Sequence, residues 1–311
     1  MDHLGKANMV AVGETTLHWV ECGDGPPLVL LHGLSDSHRT WRRVVPQLSR
    51  VRRVLMLDLP GHGLSGRPDA SYDLDWYARI VTRWADSVGL EDLDVVGHSY
   101  GGGVAQQMLL HVGRRIRKLA LVSSGGLGRE VPMGLRLMSL SWLEPLVQPL
   151  MRTGTKLVMA SPMARCYDDR DRAFLIWANS APGSGRALSR TVRGVIGMRG
   201  QTRGLADRVH EIAELPPIEL YWGTCDPVIP HRHGLRAASL LRDVRLVGFP
   251  GCGHFPHLER PVEFAAALGD FLDGSGRPAR VAVPLALPAR PSWAARALGW
   301  VGRLLRRTFG R

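Results

Sequence analysis

A chain of 311 residues, 45% hydrophobic and 22% charged, can bury one large core or a core plus an insertion. No stretch reaches the roughly 18 uncharged apolar residues that a spanning helix needs, and MDHLGKANMV carries no signal-like run, so the cytoplasm is expected. The net charge of +12 points toward nucleic acid only at first: eight of the arginines (277, 280, 290, 296, 303, 306, 307 and 311) follow Ser275 with no acid among them, and the body is close to balanced.

The first 125 residues alternate short apolar runs with amphipathic stretches, the rhythm of repeated strand–helix units. Strands are predicted over Leu17–Glu21, Leu28–Leu31, Val54–Leu57, Leu93–Val96 and Leu119–Val122, and helices over Trp41–Leu48, Leu74–Val88 and Tyr100–His111. After the first, the strands are continuous apolar runs, as in a parallel sheet covered on both faces.

The rhythm breaks near Gly125. Residues 126–207 hold five prolines (132, 145, 149, 162, 182), six of the ten methionines and no convincing strand, and they read as a helical cap. Strands resume at Ile218–Trp222 and Val244–Phe249, with a last helix over Val262–Leu272. The predicted organisation is therefore a core over 1–125 and 208–273, the cap between them, and a tail over 274–311. In that tail a Gly/Pro/Ala-rich linker precedes a helical pattern with Trp293, Ala297, Trp300, Leu304 and Thr308 on one side and arginines on the other.

The strongest chemical signal is Gly97-His98-Ser99-Tyr100-Gly101, a G-x-S-x-G between the strand DLDVV and a helix. A serine on such a sharp turn is strained, and small residues two positions away let strand and helix cross closely; Gly102 and Gly103 are expected to add clearance. Serine is a weak nucleophile at neutral pH and needs a base oriented by a carboxylate. His254, in Gly251-Cys252-Gly253-His254-Phe255-Pro256 after the last strand, is the candidate base, with His257 the nearby rival. Asp226, in Gly223-Thr224-Cys225-Asp226-Pro227 after the strand IELYW, is the candidate acid, because the alternative loop Ser123-Ser124-Gly125-Gly126 has no carboxylate. Loops at the carboxyl ends of parallel strands converge on one crevice. The backbone N–H groups of Leu34 and Tyr100 are the candidate oxyanion donors, and His32 is read as structural.

Gly61-His62-Gly63-Leu64-Ser65-Gly66 fits G-x-G-x-x-G, but Pro60 precedes it and Arg67-Pro68-Asp69 follows, so a tight loop is expected and no dinucleotide cofactor. No H-E-x-x-H points to a metal, and the four cysteines show no CxxC pairing; a Cys225–Cys252 disulfide is not expected.

HGLSDS, DLPGHGLS, GHSYGG, GTCDPVIP and GCGHFPHLERP occur in the order found in the α/β-hydrolase superfamily, and over about residues 10–273 the chain resembles its branch with a cap after the sixth strand. The resemblance implies an α/β fold with a mostly parallel eight-stranded sheet flanked by helices. It also implies a catalytic triad of Ser99 as nucleophile, Asp226 as orienting acid and His254 as base, with Leu34 and Tyr100 supplying the oxyanion amides. An aspartate at position 99 would imply a dehalogenase or epoxide hydrolase; this chain has serine.

The expected reaction is hydrolysis of a carboxylic ester with an apolar acyl group, without a cofactor. The same triad serves thioesters, carbon–carbon bonds and cofactor-free perhydrolysis, and a slow-turnover small-molecule receptor is the alternative of another class. Cap methionines together with Trp142 and Trp177 are read either as lining an acyl pocket or as sealing the cap onto the core. The tail is read as a peripheral contact with anionic membrane, against a disordered or self-docking end; nucleic acid is not the expected partner.

Overall fold

A computed structural model describes residues 4–274, apart from 203, 205–207, 209–210, 213 and 242; the basic tail expected beyond Gly274 lies outside the described residues. In chain order come β1 (Lys6–Val12), β2 (Thr15–Cys22), β3 (Pro27–Leu31), α1 (Val45–Leu48), β4 (Arg53–Leu57), α2 (Leu74–Ser87), β5 (Leu93–His98), α3 (Tyr100–Val112) and β6 (Ile116–Val122). An inserted segment follows, with α4 (Met133–Met138), α5 (Glu144–Met159), α6 (Asp169–Asn179), α7 (Ser184–Val195) and the hairpin β7 (Ile196–Gly197) and β8 (Gly200–Gln201). The chain then completes the sheet with β9 (Ile218–Gly223), α8 (Arg232–Leu240), β10 (Arg245–Phe249), α9 (Pro256–Glu259) and α10 (Pro261–Asp273).

Among the described residues one sheet has eight strands in the order β1-β2-β4-β3-β5-β6-β9-β10. β2 pairs antiparallel with β1 and β4, and the remaining neighbours are parallel. Alternate residues of each strand feed opposite cores. Val29, Leu31, Leu55 and Leu57 pack under α2 and α3 with Trp84 and Val104. Leu28, Leu30, Val54 and Met56 pack on the other face with Trp41 and α10 residues Phe264 and Leu268. Two covered faces explain the unbroken apolar runs.

Several elements differ from the sequence reading: α8, α9 and the β7–β8 hairpin have no counterpart in it, and two further differences have a clear physical cause. β1 has no prediction because it is an edge strand whose side chains are mostly exposed, so it carries little apolar alternation. The helix expected over Trp41–Leu48 is instead a 3-10 turn (His38–Trp41) and the short α1, since Pro46 lacks an N–H and fits only a helix's first turn.

Among its described residues the inserted segment is mainly helical, with one hairpin of two-residue strands. It is fastened to the loop after β3 by charge and hydrogen bonds. Arg39 and Arg42 both pair with Asp171, and Arg42 also reaches Asp168. Asn179 donates to the Ser35 carbonyl and Tyr167 to the Asp36 carboxylate. Apolar contact adds a second attachment: Ala164, Tyr167, Leu175, Met159 and Met163 pack on Phe255 and Leu258. Met138 packs beside Val131, Val192, Ile196 and Leu34. These methionines seal cap to core. Trp142 and Trp177 are 67% and 61% exposed, so neither is buried against the core, and the Trp177 ring meets that of Phe174 at 5.8 Å. Among the described residues no helix is long and apolar enough to cross a membrane.

Candidate active site

Ser99 is the single residue between β5 and α3, and its backbone (φ 53°, ψ −115°) lies where side chains are rarely tolerated. The surroundings hold it there. Its N–H donates to the Val122 carbonyl at 2.9 Å, and its carbonyl accepts from the amides of Gly102 and Gly125 at 3.1 and 3.0 Å. A Cβ at Gly97 would lie 2.5 Å from the Gly101 carbonyl oxygen, and one at Gly101 would lie 2.4 Å from that of His32. Gly97→Ala is therefore expected to cost at least about 2–3 kcal/mol, read as a lowered urea midpoint at unchanged slope. Gly103 has no such role, because its Cβ would meet only the Leu74 side chain at an ordinary 3.6 Å.

Asp226 and His254 come from the loops after β9 and β10. These loops touch through Gly223, where a Cβ would fall 1.9 Å from the Gly253 carbonyl oxygen. One carboxylate oxygen of Asp226 accepts from the amides of Val228 and Ile229 at 2.8 and 3.0 Å. The other lies 2.8 Å from His254 Nδ1, and both side chains are buried. A carboxylate so fixed places the imidazole proton on Nδ1 and leaves Nε2 free to act as a base.

His98 joins this pair to the serine turn. Its Nε2 donates to the His254 carbonyl at 2.9 Å, and the two rings lie 4.9 Å apart. Burial, reinforced by His257 and His254, pushes its pKa well below the usual imidazole range, so it stays neutral. Sequence reasoning missed this residue. The available signal was its place as the variable residue before Ser99, which says nothing about a partner 156 positions away.

His257, the rival base, points elsewhere: its Nε2 meets Thr40 Oγ at 2.9 Å and its ring stacks on Trp41 at 4.5 Å. Burial pushes its pKa down to about 3. His32 contacts the Gly33 carbonyl through Nδ1 at 2.7 Å and accepts the Leu59 amide at Nε2. It shapes the loop carrying Leu34. That loop passes against Ser99, since a Cβ at Gly33 would come within 3.2 Å of the Ser99 Cβ. Tyr100 opens α3, its buried ring edge-on to Tyr77 at 5.3 Å.

Gly61-x-Gly63-x-x-Gly66 closes on itself through a 2.8 Å bond from the Gly61 amide to the Gly66 carbonyl, and α2 begins only at Leu74. Cys225 and Cys252 are unbonded although the Cys225 amide meets the Cys252 carbonyl. Among the described residues, His18, His38 and Asp58 have donor atoms close enough for a metal. Asp58, however, already accepts from both imidazoles at 2.9–3.0 Å and from the amides of His38 and Leu64. Burial alone would raise its carboxyl, but His38 and the bonds from His18 and His38 hold it well below the usual range. The trio is a hydrogen-bonded brace for the loop after β4.

Asp36 behaves in the opposite sense. Burial raises its pKa to about 6 despite the 2.5 Å bond from Tyr167 and the Ser37 amide. The folded state therefore binds a proton that the unfolded chain has released, and stability falls as pH rises from about 4 to 6. Asp36→Asn keeps an acceptor without the charge. It is expected to match the parent near pH 4 and to exceed it by about 3 kcal/mol above pH 7, in urea titrations across pH. A constant difference would refute the assignment.

An eight-stranded, mostly parallel sheet with a strained serine between β5 and α3 is the architecture of an α/β hydrolase. The chain belongs to the alpha/beta hydrolase fold family, whose model matches residues 26–261. It is 34% identical over 262 residues to an uncharacterised protein of Mycobacterium tuberculosis (strain ATCC 25618 / H37Rv), covering 81% of this chain and 76% of that one. It is 31% identical over 280 residues to the 2-hydroxy-6-oxo-2,4-heptadienoate hydrolase of Pseudomonas putida (strain ATCC 700007 / DSM 6899 / JCM 31910 / BCRC 17059 / LMG 24140 / F1), covering 86% and 96%. Among solved structures it resembles a membrane phospholipase A described as a bacterial virulence factor, with a TM-score of 0.71, 26% identity and 86% of each chain covered.

Proposed function

We propose that this hydrolase cleaves a carboxylic ester through an acyl-enzyme on Ser99. The observation that carries the reading is the 2.8 Å Asp226–His254 pair, tied by His98 to the strained turn that presents Ser99. His254 Nε2 takes the Ser99 proton as the hydroxyl attacks the carbonyl, and the Leu34 and Tyr100 amides stabilise the oxyanion. His254 then returns the proton to the departing alkoxide. Water, activated by the same imidazole, releases the acid and restores the serine.

The surroundings favour an uncharged acyl group. Burial pushes the imidazoles of His32, His62, His98 and His257 below their ordinary range, leaving them neutral. Arg39 and Arg42 end on acids of the inserted segment, and Arg67 ends on Ser184 and carbonyls. Apolar residues from Met159 to Leu175 pack beside Phe255, next to the base.

A second reading, carbon–carbon bond hydrolysis, is favoured by the Pseudomonas relative. There the same oxyanion forms at a ketone, and the leaving group is a carbanion that must be protonated at carbon.

The test is fluorophosphonate labelling of Ser99, then steady-state turnover of p-nitrophenyl esters of increasing chain length beside 2-hydroxy-6-oxo-2,4-heptadienoate. Labelling with multiple ester turnovers is expected. Turnover of the dienoate alone would shift the assignment to the second reading. Labelling without multiple turnovers on any substrate would leave a receptor.

A further inference from the structure

The helix α5 is apolar on the side that faces water. Leu146, Leu150 and Leu157 are 51%, 61% and 43% exposed, and Trp142 just ahead of the helix is 67% exposed. Along the helix, Leu146, Pro149, Leu150, Thr153 and Leu157 recur at the three- and four-residue spacing of one face. The opposite side does the packing: Met151 and Thr155 are buried, and Gln148 exchanges hydrogen bonds with Gly185 and Ala181. The apolar content of α5 is therefore not explained by contact with the rest of the fold. Met133 and Leu137 of α4, 58% and 46% exposed, are also turned to solvent.

Charge decides what fits this face. Exposed Arg152 and Lys156 run along one flank of the apolar stripe, and from Pro145 to Tyr167 the chain has Arg152, Lys156 and Arg165 but no acid. Glu144, at the start of the helix, is neutralised by Arg190 and Arg193. A helix about 24 Å long with an apolar stripe beside cations is suited to lie in an interface. We infer that the outer face of α5, with Trp142, seats this protein on an anionic lipid surface: the leucines enter the acyl boundary and Arg152 and Lys156 meet headgroup phosphates. The chain's own tail is the poorer occupant, because its eight arginines meet a face that is already positive.

The experiment is co-sedimentation of the full-length protein with vesicles of three parts phosphatidylcholine to one part phosphatidylglycerol, beside vesicles of phosphatidylcholine alone. Near-ultraviolet circular dichroism and the melting temperature serve as fold controls. The parent is expected to pellet with the anionic vesicles and not with the neutral ones. L146S/L150S/L157S, altering only exposed residues, is expected to fold as the parent does and to bind at least tenfold more weakly; R152Q/K156Q is expected to bind several-fold more weakly. The inference is overturned if the parent does not pellet, if it pellets equally with neutral lipid, or if the triple serine variant binds like the parent, which would place binding on the tail alone. It is overturned equally if sedimentation velocity finds a stable dimer that the triple variant dissociates, because a second copy would then cover the face.

Discussion

Ser99→Ala should lower kcat by roughly four to six orders of magnitude, equivalent to about 5–8 kcal/mol of transition-state stabilisation, and should abolish fluorophosphonate labelling. The fold should survive, because the alanine Cβ occupies the place of the serine Cβ and the bonds that pin the turn are made by backbone atoms. Ser99→Gly tests the strain separately. At φ 53° and ψ −115° the Cβ is the source of the conflict, so glycine should be equally inactive yet at least as stable as alanine, although glycine ordinarily lowers stability. A tenfold loss of kcat in either variant would mean that another nucleophile does the chemistry.

The sheet and the three loops at its edge were legible because their signals are local. An apolar run four to six residues long, a glycine two positions from a serine, or an acid just past a strand each depend on immediate neighbours. Once the strands are parallel, the topology brings their carboxyl ends together. What was not legible depends on contacts between distant residues. His98 meets the His254 carbonyl, and Asp36 meets Tyr167 of the inserted segment, without any spacing rule to announce either. β1 escaped because an exposed edge strand has little to bury. The exposure of Trp142 and Trp177 was not legible for a related reason: an aromatic side chain in a helical pattern does not reveal how much of it a neighbour covers.

Asp226→Asn should lower kcat about ten-thousand-fold while leaving the melting temperature nearly unchanged. The reason lies in how the two carboxylate oxygens are used. The Val228 and Ile229 amides both donate to one oxygen, so an asparagine in the same place must give its carbonyl to them. Its NH2 group then faces His254 Nδ1, where Asp226 now accepts. Nδ1 must become an acceptor, the imidazole proton moves to Nε2, and the nitrogen meant to receive the Ser99 proton already carries one. Asp226→Ala separates this effect from simple loss of support. It leaves both backbone amides and the imidazole without their acceptor, and should cost about 2–3 kcal/mol of stability as well as activity. Proton NMR of the imidazole checks the tautomer directly, since the Nδ1–H signal of the parent should disappear in the asparagine variant. If that signal persists and kcat falls less than tenfold, the orienting acid is not Asp226. The loop at Ser123–Gly126 could not take its place, because it carries no carboxylate.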